Sequence, residues 1–403
     1  MTDAHLGDRE IAARIAPGLL AAALGLVPFT MYSNFMVQIA EHSGTEAGTL
    51  GALRGTGGVA ALIAGIVLGP LLDRVSRRAV AAASLGVLAV ACLLGAVGSA
   101  WAWVPFCLLV GGATALLNPA VSAAASDRFS DQATAGRAAT MVSSTMTLTA
   151  VLAAPVLAAP ALLWGWRGDF VAVAAVSAAG AVALGFSSFG KPTGANPRTS
   201  YTKALVKAAR IPAVLPLVGL SALRTAAFMG QLAFIAVLYN QVFHLQPGAF
   251  SLVWSLSGVS FFLGNWFGGR FIRQVSRHGT LVVVAACAVL VGALAVFVLF
   301  WTPLLPVAAA MTSLVAIAHA VIAAVVTTLL VRSSDSARGT VLALNGAAQS
   351  LGTFGGASLA GAGYALGGWP GIALVLAGTT LLGVAMCAWT WRAFGTRRVA
   401  CAE

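Results

Sequence analysis

The ten residues Gly69-Pro70-Leu71-Leu72-Asp73-Arg74-Val75-Ser76-Arg77-Arg78 crowd four charges into their last six positions, between two long apolar runs. The run before them, 46–72, and the run after, 79–99, are each long enough to cross a bilayer as a helix, which takes about 20 mostly apolar residues. The decapeptide therefore reads as a tight polar loop between two membrane spans. Applied outward along the chain, the same rule gives spans at 16–40, 46–72, 79–99, 103–126, 138–162, 169–189, 212–239, 248–272, 279–300, 303–330, 340–365 and 371–391. Composition agrees. Of 403 residues, 59% are apolar and only 8% charged, against roughly 25% charged in soluble domains, and the mean hydropathy is +0.93. A soluble enzyme, a disordered tail and a secreted scaffold are excluded.

The spans fall into two sets of six, divided by the polar stretch 190–211. This predicts an all-α membrane protein of twelve transmembrane helices. An N-terminal six-helix bundle (1–189), a cytoplasmic linker (190–211) and a C-terminal six-helix bundle (212–403) follow one another. The net charge of +12 is a topology signal and not a nucleic-acid one. Nearly every Lys and Arg falls on the side of the termini and the linker, and the opposite loops hold only Arg167, which places both termini in the cytoplasm. The start, "MTDAHLGDREIAAR", has no cleavage-site pattern, so no signal peptide is expected. Trp101, Trp103, Trp164, Trp166, Trp301 and Trp369 flank the outer loops, where the membrane interface favours their rings. Cys92, Cys107, Cys287, Cys387 and Cys401 are dispersed, four of them in apolar runs, and form neither a disulfide set nor a metal site.

The halves repeat. Val75-Ser76-Arg77 returns as Val275-Ser276-Arg277, and the outer turn Gly165-Trp166 returns as Gly368-Trp369. Paired halves are typical of transporters with a midplane site. With these features in place, residues 69–78 resemble the loop 2–3 signature of the major facilitator superfamily, G-x-L-x-D-R-x-G-R-R, with Ser76 in place of its second glycine. Gly136-Arg137, Gly165-Trp166-Arg167 and Arg338-Gly339 are similar to further features of that superfamily. The resemblance implies the major facilitator fold, two pseudo-symmetric bundles alternating access to a central cavity. It also implies a cytoplasmic latch in which Gly69, Asp73, Arg74, Arg77 and Arg78 act as gating residues, Asp73 facing the N-terminus of span eleven. A glycine stripe on span two (Gly51, Gly55, Gly58, Gly65, Gly69) and Gly352, Gly355 and Gly356 on span eleven predict close packing of those two helices.

Polar groups inside a membrane are costly and are site candidates by default. In span one Thr30, Asn34 and Gln38 repeat every four residues, with Glu41 at the outer end. Span four carries Asn118, span seven Ser221, Arg224, Phe228 and Gln231, span ten His319, and span eleven Asn345 and Gln349. The resemblance places several of these spans around the cavity, so Asn34, Gln38, Asn118, Arg224, Phe228, Gln231, His319, Asn345 and Gln349 are the candidate substrate residues. None of the eleven acids lies at mid-membrane. Arg224 is thus a cation with no acid in nearby spans. Arg54, nearer the outer end of span two, is expected to snorkel or to pair with Glu41 or Asp169. For proton coupling, His319 has the imidazole that ordinarily titrates between pH 5 and 8, and Glu41 and Asp169 are the alternatives. The expected function is secondary active transport of a small organic compound across the plasma membrane, as an exporter or proton antiporter. The alternative is uptake or facilitated exchange of a small anionic metabolite, and a non-transporting receptor is the reading of another class. The chain is expected to be a monomer in the lipid bilayer, with no enzymatic activity, cofactor, metal or nucleic-acid partner.

Overall fold

A computed structural model of the chain describes residues 6–67, 75–187, 189, 206, 208–334 and 338–400. Gly69, Asp73, Arg74 and most of the linker 190–211 lie outside the described residues. Every regular element among those described is helical: α1 Asp8–Asn34, α2 Met36–Ser43, α3 Ala47–Val67, α4 Arg77–Val97, α5 Trp103–Ser126, α6 Gln132–Phe186, α7 Val214–Phe243, α8 Pro247–Gln274, α9 His278–Trp301, α10 Leu305–Ser333 and α11 Arg338–Ala400, with a 3₁₀ turn at Ala100–Ala102. Nine of the described helices are long and apolar enough to cross a membrane. Large apolar side chains such as Leu162, Leu163, Phe186 and Leu366 stand almost fully exposed, as lipid-facing residues must.

Two elements carry two spans each. The 55 residues of α6 bend at Gly165, where φ is 71°, and the 63 residues of α11 bend at Gly367–Gly368, where Gly368 has φ 58°. Positive φ is cheap only for glycine. The chain can therefore turn there with no intervening loop, and both Gly-Trp motifs place a glycine at positive φ. Span one departs from expectation in the other direction. It breaks at Phe35, between α1 and α2, seven residues after Pro28 interrupts the helix ladder. Thr30 and Asn34 thus belong to α1 and Gln38 and Glu41 to α2, and Glu41 is exposed.

Contacts divide the chain into two compact units, residues 1–197 with 247–255 and residues 198–246 with 256–403. In the first, α1 packs on α5 and α6, α3 on α5, and α4 on α5 and α6. The closest approach joins Gly57 of α3 to Gly111 of α5, where a Cβ on Gly111 would overlap the Gly57 carbonyl. Gly57 lies outside the predicted stripe, and a Cβ on Gly65, which is in it, would meet nothing. In the second unit α7 packs on α11 and α10, and α9 on α10 and α11. Gly352 and Gly356 of α11 back directly onto Ala222 and Ala226 of α7, and a Cβ on Gly230 of α7 would lie only 2.6 Å from the Gly356 carbonyl oxygen. Small residues at four-residue spacing let the two backbones touch. Gly352 and Gly356 are thus used inside their own unit, while Gly355 faces open space.

The basic end of each unit is stitched by arginines. Arg77 pairs with Asp127, and Arg78 donates to the Ser187 carbonyl at 2.7 Å, which ties the ends of α4, α5 and α6 together. Arg137 binds Asp8 and the Leu6 carbonyl, and in the second unit Arg332 donates to the Val275 carbonyl at 2.8 Å. Ser76 caps α4, its hydroxyl accepting from the Ala79 N–H at 3.3 Å. Its φ of −58° needs no glycine, which explains why serine serves at this position of the motif. Trp103 corrects the interface reading. It is fully buried among Tyr32, Phe106, Trp166 and Phe170. Trp101, Trp164 and Trp301 are exposed as expected.

Candidate functional site

The second unit gathers the densest set of candidates. Arg224 lies ten residues into α7, about 15 Å along the helix at 1.5 Å per residue. It is buried, and its Nη2 donates to the Thr225 hydroxyl at 3.0 Å, which itself donates to the Ser221 carbonyl at 2.8 Å. Its Nε has no partner, and among the described residues no carboxylate approaches it. One turn further, Phe228 stands between two rings. Phe261 of α8 stacks on it at 5.3 Å and 23°, and His319 of α10 lies against it at 5.5 Å and 36°. His319 is fully buried with neither ring nitrogen partnered, and Arg224 lies one turn before the Phe228 ring that touches it. Gln231, three residues beyond Phe228, is fully buried with both amide atoms unpartnered. Four sequence candidates thus share one region: a cation, a ring, an amide and an imidazole. Phe261 was not legible in the sequence, since an apolar ring in an apolar span carries no distinguishing mark.

Asn345 and Gln349 lie further toward the basic end on α11. Asn345 is buried with an unpartnered Oδ1, and Gln349 is half-buried.

In the first unit Asn34 is buried with both amide atoms unpartnered, and Gln38 keeps an unpartnered Oε1. Asn118 backs onto Gly25, and its Oδ1 is also unpartnered. Arg54 corrects its expectation. It neither snorkels nor pairs with Glu41 or Asp169. It is buried, donates from Nη1 to the Ser33 hydroxyl at 2.7 Å, and lies over the Phe29 ring at 5.5 Å. Beside it Tyr32 donates to the Leu50 carbonyl at 2.6 Å. The sequence marked Arg54 as a cation within a span, but its place toward the outer end, in a span that opens with Glu46, gave no sign of the Ser33 and Phe29 contacts. Of the other coupling candidates, Asp169 is buried and accepts from Trp164 Nε1, while its Oδ2 is unpartnered.

Chemically, these groups can donate hydrogen bonds and positive charge to a ligand and can hold a proton. Among the described residues no three His, Cys, Asp or Glu side chains come together as a metal site would require.

The model of the Major Facilitator Superfamily matches residues 18–312, more than half of the chain. No curated protein matches. Among solved structures, the chain is similar to a bacterial homologue of the human lysosomal transporter Spinster in an inward-facing, occupied conformation. The TM-score is 0.74 at 17% identity, covering 97% of this chain and 98% of that one. It is also similar to the human organic anion transporter MFSD10 (TETRAN), with TM-score 0.64, 18% identity and coverage of 95% and 100%. The nucleoside transporter NupG gives TM-score 0.74 at 14% identity, with coverage of 93% and 99%. At these identities the likeness is one of fold.

Proposed function

The chain belongs to the Major Facilitator Superfamily, and we propose that it is a secondary transporter that moves a small organic anion across the membrane by alternating access. The observation that carries the charge class is Arg224: buried, with a free Nε and no carboxylate among the described residues. A cation at this depth has no route to the headgroups and needs a partner. An anionic or strongly hydrogen-bond-accepting group on the substrate supplies one, and the neighbouring Gln231 amide and Phe228 ring supply polar and flat apolar contact. The basic end is assigned to the cytoplasm by the positive-inside rule, and the membrane to the plasma membrane. Export is the direction the family resemblance favours. Uptake or facilitated exchange of an anionic metabolite is the second reading, because Arg224 selects charge and not direction.

The test is to measure dissociation constants for matched anionic, neutral and cationic ligands in the parent and in Arg224→Gln. The anion should lose at least about 1.5 kcal/mol, roughly tenfold, and the cation nothing. Equal losses across the three would make Arg224 structural. Flux of label into liposomes carrying the parent separates transport from mere binding.

A further inference from the structure

The surroundings of His319 point beyond charge selection. Neutral imidazole has one nitrogen that donates and one that accepts, and in this fully buried ring neither has a partner. Four helices face it. From α7 come Phe228, against its ring, and Arg224, one turn earlier on the same helix. α8 brings Phe261 behind Phe228, and Gly264, which backs onto Ile317 and Ala320 of α10. α9 passes with Gly292, where a Cβ would sit 3.8 Å from His319 Nε2 and equally far from the methyl of Thr380 on α11. Tyr239 of α7 is two turns away, bonded to Thr312. Among the described residues, Arg224 is the charged side chain that sits one turn from the Phe228–His319 contact.

We propose that anion binding at Arg224 and proton binding at His319 are one coupled event, so that the transporter carries the anion together with a proton and uses no carboxylate to do so. The proposal rests on the reading of Arg224 as the anion's anchor. Arginine keeps its charge in proteins, and an imidazolium beside it in a low-dielectric interior is repelled. An anion seated on Arg224 removes that repulsion and adds an attraction of its own. By linkage, whatever factor the anion contributes to proton binding, the proton returns to anion binding. The Phe228 ring face favours the charged imidazole further. The step is a proton transferred from water to an imidazole nitrogen as the anion arrives, and released as it leaves. The two additions cancel in charge, so the loaded site crosses without working against the membrane potential. Partners that strengthen each other's binding travel in the same direction. Exchange of substrate for proton would need them to compete, as a cation and a proton compete for a carboxylate.

Benzenesulfonate is a suitable probe. It presents an anion and a flat ring, and being permanently ionised it cannot carry the proton itself. Its binding to the purified protein is followed by calorimetry in buffers of different ionisation enthalpy, from about pH 5 to 8. The parent should take up as much as one proton per anion, with affinity weakening by at most about tenfold per pH unit. His319→Gln and His319→Asn should bind more weakly than the parent at low pH, with no uptake and a flat pH profile. Arg224→Gln should weaken binding roughly tenfold, and Arg224→Lys should keep both binding and uptake. In liposomes holding a pH dye, entry of benzenesulfonate should acidify the lumen. Binding without proton uptake in the parent overturns the coupling and leaves the anion reading standing. Uptake that survives in both His319 variants removes His319 from it. No binding by the parent overturns the anion reading and the coupling together. If either His319 variant fails to fold, the parent's own uptake and pH slope still decide whether the two events are linked.

Discussion

Arg54 of α3 donates to the hydroxyl of Ser33 on α1 across 2.7 Å, with both side chains buried and the Phe29 ring beside the guanidinium. Removing one member of a buried polar pair costs more than removing the charge, because what remains is left unsatisfied. Ser33→Ala, which strands the guanidinium, should therefore destabilise the protein by about 1.5–3 kcal/mol, whereas Arg54→Met, which keeps length and apolar volume and strands only a neutral hydroxyl, should cost about 1 kcal/mol. Thermal unfolding in detergent reads both. If Arg54→Met is stable and yet abolishes flux, Arg54 belongs to the transport pathway.

The close approach of α7 and α11 gives a sharper packing test. A Cβ on Gly356 would overlap the backbone of Ala226, and one on Gly352 the Ala222 carbonyl, while Gly346 and Gly355 of the same helix have open space. Gly352→Ala and Gly356→Ala should each cost about 1–3 kcal/mol, as overpacking does. Gly346→Ala and Gly355→Ala should be neutral, or stabilise by up to about 1 kcal/mol through helix propensity. Equal effects at all four positions would contradict the contact.

Much of this was legible before any coordinates, and for a physical reason. A span must satisfy its backbone internally, so hydropathy alone places helices, and over the described residues each predicted span overlaps a helix. Periodicity could not say which face of a helix meets which neighbour. Gly352 and Gly356 were read as a surface for span two, yet they serve α7, and Gly57 rather than the regular stripe meets α5. Trp103 is buried and Trp101 exposed, and two residues of spacing carry no such information. For the site, rarity was the readable signal: Arg224 and His319 stood out because so few charged or titratable groups enter the membrane. Phe261 did not, because nothing marks one phenylalanine among 19.

At the loop 69–78 the described residues separate two roles. Ser76 caps α4, so Ser76→Ala should cost about 1 kcal/mol and Ser76→Gly only a few tenths, even though glycine restores the family pattern. Asp127→Asn breaks an exposed pair with Arg77 and should cost less than about 1 kcal/mol with transport intact. Asp73→Asn should behave differently, slowing transport and weakening cytoplasmic closure at normal expression. Distance measurements across the cytoplasmic side that find the inward and outward populations unchanged, with unchanged kinetics, would remove the latch.

Phe228 was nominated as a wall of the substrate cavity, and its position between Phe261 and His319 makes it a spacer as well. The ring is buried, and aromatic pairs at these separations contribute about 0.5–1.5 kcal/mol beyond the area they bury. Phe228→Leu keeps most of the apolar volume and removes both ring contacts. In a double-mutant cycle, Phe228→Leu with Phe261→Leu should show a coupling energy in that range, and Phe228→Leu with His319→Leu should show one of similar size. A cavity wall that merely lines a space would give no coupling with either partner. The two roles also separate in binding. Arg224→Gln should lose an anion roughly tenfold. Phe228→Leu leaves the guanidinium and its Thr225 contact in place, so it should weaken an aromatic sulfonate more than an aliphatic one, and neither as much as the charge substitution does. A loss from Phe228→Leu equal to that from Arg224→Gln for both ligands would mean that the ring positions the arginine, and that the anion site is built on the stack rather than beside it.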